Sequence, residues 1–208
     1  MDEKEQRILA GATELFFRYG IKSITMDDIA KHLGMSKKTI YQFYPDKDSI
    51  VNQITINALE KNKCEFCDIE KLQRNAIEKI FEMMRHMESM FSTMNVNLFY
   101  DMQKYHPKSW KLFVSFREDF MLKSVEENLE QGIKEGLYRT DINIPVLARL
   151  RVAEMDWAFD PENYISPVMQ AQGFSKVQVS LLDHFLHGIA TLKGHKLINK
   201  HKQLNEEE

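Results

Sequence analysis

The sequence predicts an all-α protein of about nine helices, with a small three-helix domain at the N-terminus and a larger helical bundle after it. Three observations carry that expectation. Glycine (8) and proline (5) together supply only thirteen of 208 residues, about half the usual share of roughly 12%, so few positions interrupt a helix. Apolar residues recur every three or four positions along most of the chain, the spacing of one helical face. No segment sustains the period-2 alternation of a half-buried strand.

Each element follows from local signals. Residues 4–19 carry Ile8, Ala12, Leu15, Phe16 and Tyr19 on one face, and Gly20 can end that helix in a left-handed conformation. Thr25 opens a second helix, with Asp28 completing a capping box. Ile29, Ala30 and Leu33 form its buried side, and Gly34 stops it after about two turns. Ser36 caps a short third helix, residues 37–43. Pro45 breaks the chain, and Asp46 caps a long fourth helix expected to reach about Lys63. Further helices are expected near 70–93, 95–105, 108–135, 145–159 and 174–203. The separators are His106–Pro107, the turn from Gly136 to Asp141, and the loop from Pro161 to Pro167. Domain boundaries are set at 1–46 and 47–208.

Composition narrows the function classes. Hydrophobic residues make up 43% and charged residues 28%, ordinary for a folded globular chain. No apolar run approaches the roughly 18 residues that span a bilayer. The start MDEKEQRILA lacks the pattern of a secretory leader, so a cytoplasmic protein without a membrane partner is expected. Two cysteines imply no disulfide framework. A net charge of −3 excludes gripping a polyanion with the whole surface, and the first 50 residues balance eight basic against eight acidic side chains. Any nucleic-acid contact must therefore be local.

That local feature is the stretch from Thr25 to Tyr44. Two short helices joined by a Gly-containing turn form a helix-turn-helix. Ala30 is small where the third helix must pack closely, and Ile40 is apolar where that helix faces the core. Its other faces can present Lys37, Lys38, Thr39, Tyr41 and Gln42. Glutamine can read an adenine edge and lysine can meet guanine or phosphate, while hydroxyls suit phosphate oxygens.

The run ILAGATELFFRYGIKSITMDDIAKHLGMSKKTIYQFYPDKDSI resembles the N-terminal domain of TetR-family transcriptional regulators. The matching marks are Phe16-x-x-x-Gly20, Thr25, Ile29-Ala30-x-x-Leu33-Gly34, and Ser36-x-x-Thr39-Ile40-Tyr41 followed by Lys47. The resemblance implies DNA contacts from Thr25, Lys37, Lys38, Thr39, Tyr41, Gln42 and Lys47, and Ser36 joins that set as the cap of the reading helix. It implies double-stranded operator DNA as the partner and a repressor released by a hydrophobic small molecule. Phe43 departs from the pattern, since members often carry Tyr or His there. A phenyl ring cannot donate to phosphate, so Phe43 is expected to pack, and Tyr44 is not expected to replace its contact.

In the second half, Ile80, Met83, Met87, Met90 and Met94 fall on one helical face. Phe99, Trp110, Phe113, Phe116 and Phe120 add aromatic surface. Such stripes are ordinary core by themselves; the resemblance makes Met83, Met87, Met90, Met94 and these five aromatics the expected effector wall. Methionine repacks around varied apolar ligands. Asp101, Glu118 and Asp119 read as exposed helix charges, with a polar anchor as the alternative. The resemblance also implies a homodimer through the last helices. The expected interface is Leu150, Ala153 and Trp157 with Val177, Leu181, Phe185, Gly188, Ile189 and Leu192. Gly188 inside a helix costs about 1 kcal/mol relative to alanine, which close approach of a partner helix would explain.

No catalytic residues, cofactor or metal site are expected. Cys64-x-x-Cys67 has no second pair, and His184-x-x-His187 lies alone on a helix. Phosphate loops, nucleophile elbows and His-Glu-x-x-His are absent from the sequence. A helical enzyme using Asp101, Glu118 or His106 is one competing class, and lacks a convergent acid–base pair; an interaction module whose helical hairpin is only structural is the other.

Overall fold

The computed structural model describes residues 2–91, 94–95, 97–159 and 173–206. The described residues are helical throughout their regular structure, with no strand longer than the single Tyr138–Ala190 bridge. The first three helices are α1 (Glu3–Tyr19), α2 (Met26–Leu33) and α3 (Lys37–Phe43). Their ends obey the capping signals. Gly34 is left-handed at φ 62°, whereas Gly20 has positive φ, 81°, with ψ at 158°, outside the left-handed helical region expected of it. Thr25 and Asp28 form a reciprocal capping box, and the Ser36 hydroxyl accepts from Thr39 N. Ile8, Ala12, Ile29 and Ile40 are completely buried in the core they share.

Helix α4 (Lys47–Lys71) starts at Asp46, whose carboxylate accepts from Ser49 N. It runs about two turns past the expected stop at Lys63, because residues 64–71 contain neither Gly nor Pro. Asn75 then caps α5 (Ala76–Phe91), accepting from Glu78 N at 3.0 Å. Next come α6 (Leu98–Tyr105) and α7 (Pro107–Ser115), with His106 between them. A π-helical stretch, Phe116–Met121, leads directly into α8 (Leu122–Lys134). The expected helix over 108–135 is thus one continuous rod with an inserted wider turn.

The last three helices are α9 (Ile144–Phe159), α10 (Phe174–Ile189) and α11 (Leu192–Glu206). The single helix expected over 174–203 is therefore divided. Ala190 is extended and pairs with Tyr138, and Thr191 Oγ1 accepts from Gly194 N to start α11. Gly194 lies so close to the Leu137 carbonyl that a Cβ there has no room. The Pro161–Pro167 loop lies outside the described residues. A second core gathers Ile77, Leu129, Tyr138, Ala148, Leu186 and Ile198, all at or below 1% exposure. The first core, in contrast, extends through Ile50 and Val51 of α4 to Met102 of α6. Helices α4 and α6 therefore carry the first core beyond the three N-terminal helices.

Candidate nucleic-acid interface and effector cavity

Helix α3 is anchored by Ile40, which is fully buried, so its opposite faces are turned outward. Lys37, Lys38, Tyr41 and Gln42 are exposed. Lys37 Nζ donates to Asp27 Oδ2 of α2 at 2.9 Å, which holds its ammonium pKa above the ordinary value. Ser36 Oγ and Thr39 Oγ1 are 2.8 Å apart at the start of the helix. Thr25 is exposed at the start of α2, and its hydroxyl donates to Asp28 at 2.5 Å. That bond, with the Thr25 backbone N–H, lowers the Asp28 pKa.

Lys47, also in the expected DNA-contact set, is engaged within the protein. Its Nζ donates to the carbonyls of Ile21 and Ile24, both at 2.9 Å. Partial burial lowers its pKa. It ties the start of α4 to the connection between α1 and α2 instead of projecting with the α3 lysines. Phe43 packs partly against the first core, as its missing donor predicts. Tyr44 is 5% exposed and its hydroxyl donates to Glu5 at 3.1 Å, with burial pushing its pKa up.

A second set of contacts joins this domain to the bundle. Asp101 of α6 is 5% exposed and accepts from Lys22 N at 2.8 Å. It is neither the exposed charge nor the ligand anchor that the sequence offered. Asn95 N donates to Phe17 O at 2.7 Å, and Asn95 Nδ2 reaches Arg18 O at 3.4 Å. His106 is buried with Nδ1 2.7 Å from Asp48 Oδ1. Burial lowers its pKa, and Asp48 opposes that shift. The end of α1 and the start of α4 are therefore held by α6 and its flanks.

Two adjoining cavities lie beneath α4. The larger, about 140 Å³, is walled by Met87, Met94, Phe99, Phe113 and Phe116 of the expected effector set. Phe17 of α1, Ile54, Leu59 and Asn62 of α4, His86 of α5 and Met102 of α6 also line it. The smaller, about 60 Å³, takes Met83 and Met87, with Leu129, Arg151 and Leu182. Phe66, Met87, Met121 and Met155 line both. Trp110 and Phe120 are not on either wall. Trp110 packs against the first core beside Phe113, and Phe120 stacks on Phe116. The side chain of Met90 lies outside the described residues. Ile54, Leu59 and Phe66 also line these cavities and lie outside the expected wall, which was drawn from the Met and aromatic stripes between residues 83 and 120.

The expected dimer residues divide in two. Leu150 (49% exposed), Trp157 (45%) and Leu192 (83%) are open on the protomer, with Ala153 and Gly188 also exposed and Leu181 half-buried. Val146 continues the α9 stripe at 59% exposure. Val177, Phe185 and Ile189 instead face the protomer's interior, at 7% exposure or less. The period of α10 placed all of its apolar residues together, whereas two faces are apolar and only one is outward. The remaining candidates are scattered. Cys64 and Cys67 are exposed free thiols, and His184 is exposed. Glu118 meets Arg117 and Arg149 at 3.2 and 3.6 Å. Among the described residues, no cluster of three metal-ligating side chains occurs and no helix is long and apolar enough to cross a membrane.

Residues 8–54 match the family described as bacterial regulatory proteins, tetR family. An uncharacterised helix-turn-helix transcriptional regulator of Bacillus subtilis, YvaF, is 27% identical over 187 residues, covering 89% of this chain and 95% of its own. The transcriptional repressor KstR2 of Mycobacterium tuberculosis is 21% identical over 165 residues, covering 76% and 80%. A TetR-family regulator from Agrobacterium tumefaciens superimposes with a TM-score of 0.73 at 19% identity, over 90% of this chain and 98% of that one. Residues 8–54 are thus a TetR-family helix-turn-helix domain, and the relatives aligned along nearly the whole chain are transcriptional regulators.

Proposed function

We propose that the protein is a homodimeric repressor that binds operator DNA through α3 and releases it when an apolar small molecule fills the cavity beneath α4. Residues 1–46 would serve DNA and residues 47–208 the effector and the partner subunit. The observation that carries this reading is the reach of the cavity. One continuous apolar wall includes Phe17 of the DNA-binding domain, Ile54 and Leu59 of the joining helix and the Met/Phe surface of the bundle. A molecule seated there presses on α4 and α6 together. Lys47 and Asp101 would carry that displacement to the connection between α1 and α2. Two-fold pairing through the open stripe on α9 and the Gly188 face of α10 would set two α3 helices about 34–36 Å apart, or a multiple of it. The operator would then be a near-palindrome. Such a protein acts in the cytoplasm and needs neither catalytic residues nor a cofactor.

The test is to recover DNA from fragmented genomic DNA of the source cell with the purified protein. Retention of a short inverted repeat, enriched over bulk DNA, is the expected result. Retention without sequence preference would refute the operator reading.

A further inference from the structure

We propose that Arg151 holds the negatively charged end of the effector, which is a carboxylate carrying an apolar tail. This inference rests on the cavity being the effector site, and adds the ligand's chemical class.

Arg151 of α9 is 5% exposed. It lines the smaller cavity and also a narrow extension shared with Met84, Met87, Gln178 and Leu182. A guanidinium in such a setting is costly to desolvate unless partners surround it. Its described side-chain bond runs from Nη1 to Glu154 Oε2 at 3.3 Å, one turn further along the same helix. The guanidinium fork holds five donors, and two parallel bonds to a carboxylate match its geometry. Gln178 stands at the same opening and is 6% exposed. Among the described residues, its Oε1 is buried without a hydrogen-bond partner and its Nε2 makes a long 3.4 Å contact with the Met155 carbonyl. That amide can turn to donate to an arriving oxygen.

The charges around the opening decide the sign of the ligand. Glu154 is held by Arg151. Glu70 is held by Lys79 at 2.7 Å, with Lys79 itself 6% exposed. Glu88 sits at the rim of the extension and accepts from Ser175 at 3.4 Å. A cationic head would therefore meet a buried guanidinium, with the nearby carboxylates already engaged. A wholly apolar ligand would strip water from Arg151 and offer nothing in return. A carboxylate offsets that loss. Its tail would pass Phe66, Met87 and Met121 into the larger cavity and end against Phe17, where the wall is almost entirely apolar.

Decanoate and decanol, equal in tail length, are the probes, titrated calorimetrically into the full-length wild type, Arg151→Gln and Glu154→Gln. Decanoate should bind the wild type roughly tenfold or more tightly than decanol, the scale of a hydrogen bond to a charged group. Arg151→Gln should erase that preference while decanol binding persists. Glu154→Gln frees the guanidinium of its internal carboxylate, so it should tighten decanoate and leave decanol unchanged; loss of folding cannot imitate that gain. Equal binding of the two probes to the wild type would overturn the carboxylate inference and leave the cavity reading standing. So would a preference that survives Arg151→Gln, or weaker decanoate binding in Glu154→Gln. Binding of neither probe would overturn the cavity reading and this inference with it.

Discussion

At the residue scale, two lysine environments separate exposed charge on α3 from support of the fold. Lys37 and Lys38 are exposed on α3, so replacing both with alanine removes charge without opening the core. The double variant should keep its melting temperature and lose operator affinity. Its salt dependence of log affinity should flatten by roughly 0.9 for each phosphate contact removed. An operator titration at several salt concentrations checks this, and unchanged affinity in the folded variant would exclude α3 as the reader. Lys47 should behave in the opposite way. Its two bonds to the Ile21 and Ile24 carbonyls hold the connection between α1 and α2, and losing them should cost about 1–3 kcal/mol. Lys47→Met should therefore lower the melting temperature, by about 2–4 °C per kcal/mol in a chain of this size. The family resemblance put both kinds of lysine in one expected set, and residue type and spacing do not show which way a flexible ammonium turns. Asp101 was hidden for the same reason. Nothing near it in sequence marks a partner 79 residues away, the backbone N–H of Lys22.

At the scale of elements, α1 to α3 were readable almost to the residue, because Gly20, Thr25, Asp28, Gly34 and Ser36 are local stop and start signals with one physical meaning each. The long rods were harder. The break between α10 and α11 comes from the pairing of Ala190 with Tyr138, a contact across 52 positions that no local propensity encodes. The π-helical stretch at Phe116–Met121 is equally silent in sequence, yet it brings Phe116 and Met121 to the cavity wall. Half of the cavity wall was visible as a Met/Phe periodicity, while the half from α4 and α9 became visible only when those helices were packed. Gly188 tests the outward face of α10. A Cβ built there meets nothing within 4 Å in the protomer, so no internal packing accounts for a helix-weakening glycine. Gly188→Leu should leave the protomer folded and separate the subunits. Sedimentation at micromolar concentration should show a dimeric wild type and a monomeric variant; a monomeric wild type would refute the two-fold assembly.

On the scale of the whole molecule, α4 and α6 carry the first core beyond the three N-terminal helices, and both helices also face the larger cavity. Because Ile50 and Val51 complete the first core while Ile54, Leu59 and Phe66 wall the cavities, α4 cannot tilt over a ligand without moving the reading head. Interfaces of this kind couple sites by about 1–3 kcal/mol, or 5–150-fold in affinity, and the coupling is reciprocal. Filling the space that Met87 shares between both cavities, with Met87→Trp, should blunt the ligand response and spare operator binding. The most direct measurement is operator affinity with and without a saturating ligand, using a compound first chosen because it raises the protein's melting temperature. Operator binding should weaken by 5–150-fold, and operator DNA should weaken ligand binding by the same factor. A compound that stabilises the protein, is shown by Met87→Trp to occupy the cavity, and leaves operator affinity unchanged would contradict the coupling.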